Sequence, residues 1–202
     1  MTDYVTADEV RDQMPDTEWT VAYSQVLSAL ITRASRAIDR ATGREDGAYA
    51  SDTATVRYFD GSGQRELWVG EMAAAPSAVA VDEGGAGTYT TWAATDYFTW
   101  PYNAADEGRP YFRLDVDQLN GDKAQWYRFP KSVKVTAKWG YSTTAPDAIK
   151  QATIVQVVRW FKRAQQAYQD VGAIAELGQL RYVKQLDPDV SFIIDHYRRV
   201  TI

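Results

Sequence analysis

The chain has 202 residues, 45% hydrophobic and 24% charged, enough for one ample domain or for a core domain with a second one inserted. It has no cysteine and a single histidine, His196, which excludes disulfides, thiolate metal sites, cysteine nucleophiles and a histidine metal cluster. The net charge of −5 is uneven: residues 1–149 carry 14 Lys+Arg against 22 Asp+Glu, residues 150–202 carry 8 against 5, and an acidic body of this kind argues against tight wrapping of a nucleic-acid backbone.

The first helical signal is Thr6-Ala7-Asp8-Glu9, a capping box, and the short helix it starts should end near Met14-Pro15 because proline disfavours helical geometry in the residue before it. A longer helix is predicted from about Val21 to Thr42. Leu27, Leu30, Ile31, Ala34 and Ile38 recur at three- and four-residue steps as an apolar stripe, Arg33, Arg36 and Arg40 occupy the other face, and Gly43 stands where a left-handed cap belongs. The period then changes. Short β-like runs are expected at Thr53–Tyr58, Glu66–Val69, Ala78–Val81, Tyr89–Trp92, Tyr97–Trp100, Tyr111–Val116 and Ser132–Trp139, separated by turn signals such as Asp60-Gly61-Ser62-Gly63 and Asn120-Gly121-Asp122. Helix returns after Thr144, with Pro146 at its start and Ile149, Ala152, Thr153, Val157, Trp160, Phe161 and Ala164 on one broad apolar face to about Gln169. A linker carries Gly172 and Gly178, and its stretch Gln179–Leu186 reads as extended or loosely helical. The last helix opens on Asp187-Pro188-Asp189 and ends in Arg198-Arg199, which suit the negative end of its dipole. The predicted fold is α+β: a helical bundle formed by both chain ends, residues 1–49 and 143–202, with an antiparallel β-rich domain, residues 50–142, inserted between them.

Reaction chemistry finds little support along this chain. A serine triad would have to use His196, near the end of an arginine-bearing helix and a poor place for a buried base. Gly61-Ser62-Gly63 and Gly84-Gly85-Ala86-Gly87 lack the residues of phosphate-binding loops and read as hairpin turns. Asp115 and Asp117 would share one strand face, as a calcium or glycosidase pair or as the charges of an exposed edge strand. Tyr89, Trp92, Tyr97, Trp100, Tyr102 and Tyr111 suit either a sugar-stacking platform or a domain core with a subunit interface. Arg159, Lys162 and Arg163 on the third helix, with Arg198 and Arg199, are available to acidic partners or to solvent. No apolar run approaches the ~20 residues of a membrane span, and the acidic N-terminus lacks a signal pattern. The expected location is therefore the cytosol, or a particle assembled there.

Three stretches in order, Ala34-Ser35-Arg36-Ala37-Ile38-Asp39-Arg40-Ala41-Thr42-Gly43-Arg44, then Val133 through Ser142 with Ala145-Pro146-Asp147-Ala148-Ile149, then Asp187-Pro188-Asp189-Val190 through Arg199, resemble the head–tail connector (adaptor) proteins of tailed bacteriophages across nearly the whole chain. The inserted β block is the least typical part. The resemblance implies a non-enzymatic virion subunit without cofactor. It implies a homo-oligomeric, usually dodecameric ring beneath the portal that extends the channel for double-stranded DNA and carries a stopper or tail-completion protein. It further implies a C-terminal segment that reaches into the portal, here Tyr197, Arg198, Arg199, Val200, Thr201 and Ile202. Such a ring is heterologous, each subunit offering two different faces, and Arg33, Arg36, Arg40, Arg159 and Arg163 are the candidates for contacts between subunits. The aromatic β block leaves a carbohydrate- or receptor-binding virion module as the alternative.

Overall fold

The computed structural model describes residues 2–169 and 186–199. The chain divides into two compact units, one made of Met1–Gly47 with Ala145–Ile202 and the other of Ala48–Thr144.

The first unit is helical: α1 (Ala7–Arg11), α2 (Val21–Thr42), α3 (Asp147–Gln169) and α4 (Pro188–Asp195). Thr6 opens α1 with a reciprocal capping box, in which the Glu9 N–H donates to Thr6 Oγ1 at 3.2 Å and the Thr6 N–H donates to Glu9 Oε2 at 2.7 Å. The Thr20 side chain caps α2, and Gly43 closes it with φ 71°, a conformation that costs a side-chain-bearing residue strain. Asp187 caps α4, its side chain accepting from the Asp189 N–H, and Pro188 takes the first turn, where a missing N–H costs nothing. The helices from the two chain ends share a core of Val10, Met14, Leu27, Leu30, Ile31, Ala34, Val157 and Phe161. Each fully buried leucine, isoleucine or phenylalanine of that set contributes roughly 1.5–3 kcal/mol. Trp19 and Tyr23 add aromatic packing on Phe161, with ring centroids 5.2 and 5.6 Å away.

The second unit begins with a 3-10 turn, Ala48–Ala50, and is otherwise antiparallel β: β1 (Ala54–Phe59), β2 (Glu66–Met72), β3 (Ala78–Val81), β4 (Thr90–Thr91), β5 (Tyr97–Trp100), β6 (Tyr111–Val116) and β7 (Val133–Lys138). One sheet has the order β1-β7-β3-β4 and the other β2-β6-β5. Their inner faces meet over Leu67, Val69, Met72, Val79, Val81, Leu114, Val116, Val133, Val135 and Ala137. Alternation along the strands sets this arrangement, since β7 buries Val133, Val135 and Ala137 and turns Lys134, Thr136 and Lys138 outward. Two glycines are forced by close approach. A Cβ on Gly61 would lie 1.7 Å from the Tyr127 carbonyl oxygen, and one on Gly140, at φ 151°, would lie 2.5 Å from that of Ala48. The predicted elements differ from the observed ones mainly at their ends. The run Tyr89–Trp92 forms strand only at Thr90–Thr91, although the Trp92 N–H still donates to the Val79 carbonyl at 2.9 Å, and α1 stops at Arg11, four residues before Pro15.

Candidate assembly surfaces

The arginines proposed for subunit contacts take three different places. Arg33 and Arg40 are exposed on α2, with the Arg33 guanidinium 5.8 Å from the Trp160 ring centroid and Arg40 Nε donating to the Arg36 carbonyl at 3.1 Å. Arg163 is exposed on α3. Arg159 ion-pairs with Asp187, whose backbone N–H donates to Gln156 Oε1 at 2.9 Å, so this arginine ties α3 to the cap of α4.

Arg36 corrects the expectation that it belongs to the polar face of α2. It is 7% exposed, with Nε 3.2 Å from the Asp39 carboxylate, Nη2 donating to the Thr2 carbonyl at 3.0 Å, and its guanidinium over the Tyr4 ring. The reason is the N-terminal segment, which lies back along α2. The Tyr4 N–H donates to Ser35 Oγ at 3.3 Å, the Tyr4 hydroxyl donates to Asp39, and the Thr32 hydroxyl donates to Asp3 at 2.8 Å. Asp39 is fully buried. That burial pushes its carboxyl above the usual range, against the opposing pull of the Tyr4 hydroxyl, the Gly47 N–H and Arg36.

The first half of the expected portal-reaching segment is seated on its own chain. The Arg44 side chain donates to the Tyr197 carbonyl, the Arg199 N–H donates to the Thr42 carbonyl at 2.9 Å, and Arg198 Nε pairs with Asp195 at 2.9 Å. These contacts fold Tyr197–Arg199 over the C-terminal end of α2. Val200, Thr201 and Ile202 lie outside the described residues, as does the linker stretch Gly172 to Gln185. On α4, Phe192 is 83% exposed beside Ile193, Asp195 and His196, where the surface forms an open depression.

Asp115 and Asp117 form neither an acid pair nor the charges of an edge strand, since β6 is the central strand of its sheet. Asp115 pairs with Arg113 Nη2 at 2.8 Å, whereas Asp117 lies beyond the end of β6 and builds a turn, accepting from the Leu119 N–H at 2.9 Å and from the Asn120 N–H at 3.1 Å and Nδ2 at 2.8 Å. The Asn120 side chain first, then those backbone donors, hold the Asp117 carboxyl below the ordinary carboxylate value. Asp82 likewise accepts from Ala86 and Gly87, so the Gly84–Gly87 loop is a turn closed by its own aspartate. Among the described residues, no group of three or more His, Cys, Asp or Glu is placed to hold a metal ion, and no helix is long and apolar enough to cross a membrane.

The aromatics weighed as a sugar platform or as core and interface divide between the core and the surface. Trp92 is 3% exposed and stacks on fully buried Trp126, centroids 4.7 Å apart, with its indole N–H donating to Glu83 at 3.0 Å. Tyr97 and Tyr111 pack against the same core, and Tyr89 leans on Tyr58. Only Trp100 and Tyr102 remain together at the surface, and they gain partners that spacing had not singled out: Phe98, 5.9 Å from Tyr102, and Trp68, across β6. Strand register places Trp68, Arg113 and Trp100 side by side on the outer face of the β2-β6-β5 sheet, with the guanidinium 5.6 and 5.0 Å from the two indoles. Alternation of Leu67, Trp68 and Val69 against Arg113 and Leu114 is the signal that could have found this face, once the register was known.

No protein-family model and no curated protein matches the sequence. Among solved structures, the chain is similar to a chain of the neck of an empty gene transfer agent (GTA) particle computed with C6 symmetry, at 15% identity over 98% of this chain and 91% of that one, with a TM-score of 0.57. It is also similar to a chain of the neck of the native particle computed with C12 symmetry, at 15% identity over 100% and 96% of the two chains and a TM-score of 0.46. A chain of the native GTA virion matches at 18% identity over 98% and 91%, with a TM-score of 0.47. The first similarity is one of fold, helices with antiparallel sheets, over 98% of this chain.

Proposed function

We propose that this chain is a structural subunit of the neck of a phage-like particle, a head–tail connector that forms a ring beneath the portal. The observation that carries the proposal is the similarity of fold to a neck protein over 98% of the chain, at a TM-score of 0.57. The resemblance of the α2 exit, the β7-to-α3 passage and the α4 ending to phage connectors supports the same reading from the sequence. Residues 1–49 and 143–202 then serve as the connector core and residues 50–142 as an inserted domain. Copies associate head to tail in a closed, heterologous ring, dodecameric in connectors of this kind. The ring extends the DNA channel and docks a stopper or tail-completion protein. An acidic body suits a wall past which DNA slides without sequence-specific binding. The role is carried out in the virion after assembly in the host cytoplasm, and it requires neither catalysis nor a cofactor.

The contact to the portal is assigned to the C-terminal residues, with Val200 and Ile202 entering an apolar groove and Arg198 and exposed Arg199 facing acidic groups. Because Tyr197 and Arg199 also hold the end of α2, the informative truncation removes only 200–202. Removing these three residues should leave the thermal melt unchanged and abolish capture by immobilised portal protein. Negative-stain images of the full chain with portal should show rings. A chain that stays single at all concentrations, with and without portal, would sink the proposal.

A further inference from the structure

The β unit has two outer faces on opposite sides of its core, and their chemistry differs. On the β1-β7-β3-β4 sheet, register places Tyr58 and Ala80 on either side of Lys134, and Val56 and Ala78 on either side of Thr136. Val56 is 43% and Tyr58 50% exposed. Lys134 has the Tyr89 ring 6.0 Å away and no carboxylate partner among the described residues, so this face carries an uncompensated cation.

On the β2-β6-β5 sheet, the outward residues are Glu66 and Trp68, Arg113 and Asp115, Phe98 and Trp100. Trp68 is 52%, Phe98 41% and nearby Tyr102 59% exposed. Arg113 lies 3.2 Å from Glu66 and 2.8 Å from Asp115, so two carboxylates share one guanidinium and a negative charge is left over. Exposed aromatic clusters of this kind mark interaction surfaces. Trp68 stacks on Phe112 at 5.4 Å with the Arg113 guanidinium 5.6 Å away, and Trp100 has that guanidinium at 5.0 Å and the Tyr102 ring at 4.8 Å in a T-shaped contact.

We infer that the inserted β unit makes its own contact in the ring, with the outer face of the four-stranded sheet of one copy, around Lys134, Tyr58 and Val56, docked on the outer face of the three-stranded sheet of the next copy, around Glu66, Trp68 and Trp100. Opposite charge and the opposite placement of the two faces on one unit make the partner a second copy of this chain, added head to tail. The inference rests on the ring proposed above and names surfaces that build it.

The absence of cysteine makes the test clean. The full-length chain carrying Val56→Cys and Phe98→Cys, oxidised under conditions where negative stain shows rings, should give a ladder of disulfide-linked oligomers on non-reducing gels. Either single variant should give none. Lys134→Glu should weaken self-association about tenfold, and adding Glu66→Lys in the same chain should restore it. The cysteine pair decides the matter whether or not Glu66→Lys folds. Rings without a ladder, with Lys134→Glu assembling as the parent does, overturn this contact and leave the ring itself standing. A disulfide-linked dimer from Val56→Cys alone, which means like faces meet, also overturns it. A chain that neither cross-links nor forms rings with portal overturns both readings.

Discussion

Taking a charge pair out of water costs several kcal/mol per ion, and Arg36 with Asp39 meets that cost only through geometry: one helical turn apart, with the Tyr4 hydroxyl and the Gly47 N–H completing the carboxylate. The two partners differ in how each can respond to losing the other. A carboxyl can take up a proton, and burial already favours its doing so at Asp39. A guanidinium cannot release one. Asp39→Ala should therefore cost about 3–5 kcal/mol, leaving a buried cation unopposed, and Arg36→Met should cost clearly less. Urea denaturation of the two variants checks this, and equal losses would contradict the asymmetry. The position was misread from sequence because Arg36 follows Arg33 by three and precedes Arg40 by four, the spacing of a solvated stripe. Nothing in α2 itself reveals that residues 2–5 lie back over it.

At the scale of elements, α1 is the instructive case. Five residues make too short a helix to persist by propensity. It is held by its capping box, by Val10 in the core and by the Glu9–Lys150 pair at 3.6 Å, which links it to α3. Thr6→Ala should lower stability by about 1 kcal/mol, and Thr6→Ser by little, since serine keeps the accepting oxygen. Thermal melts of the two variants measure it. The cap, the α2 stripe, Gly43 and the Asp187-Pro188 start were legible because each is a local matter, settled within a turn of chain. The strands were legible by alternation, and β3, β5 and β6 stand at the bounds their patterns gave, whereas the run Tyr89–Trp92 shortens to Thr90–Thr91. Trp92, whose N–H still donates to the Val79 carbonyl at 2.9 Å, stacks on Trp126, a partner 34 positions along the chain.

For the whole molecule, the sign of the charge effects sets the response to acid. Glu9 is held low by the Thr6 N–H, Asp52 by Lys138, Glu83 by Lys123 and Asp117 by Asn120. Each binds protons less readily folded than unfolded. The stability each adds is complete above its unfolded value, 3.8 for aspartate and 4.5 for glutamate, and is lost as pH falls through the depressed folded value. Asp39 acts in the opposite sense: its charged form is a cost, relieved as pH falls through its raised value. Four groups against one predict a net loss of stability below about pH 4.5. Denaturation midpoints measured from pH 7 to pH 3 should show this fall, and Asp117→Asn should flatten it. A midpoint unchanged at pH 3 would contradict the prediction.

The sequence by itself determined the α+β class, the helices with their caps, the order of the strands and the lack of any cysteine or histidine metal chemistry, because all of these depend on composition or on periodicities a few residues long. Only the tertiary structure decided that Arg36 is interior, that Asp115 and Asp117 part company, that Tyr197–Arg199 lie on the end of α2 and that Trp68 joins Trp100 across Arg113. Each of these depends on which distant segments become neighbours. That choice is made by sheet register and core packing, summed over contacts that no local pattern encodes.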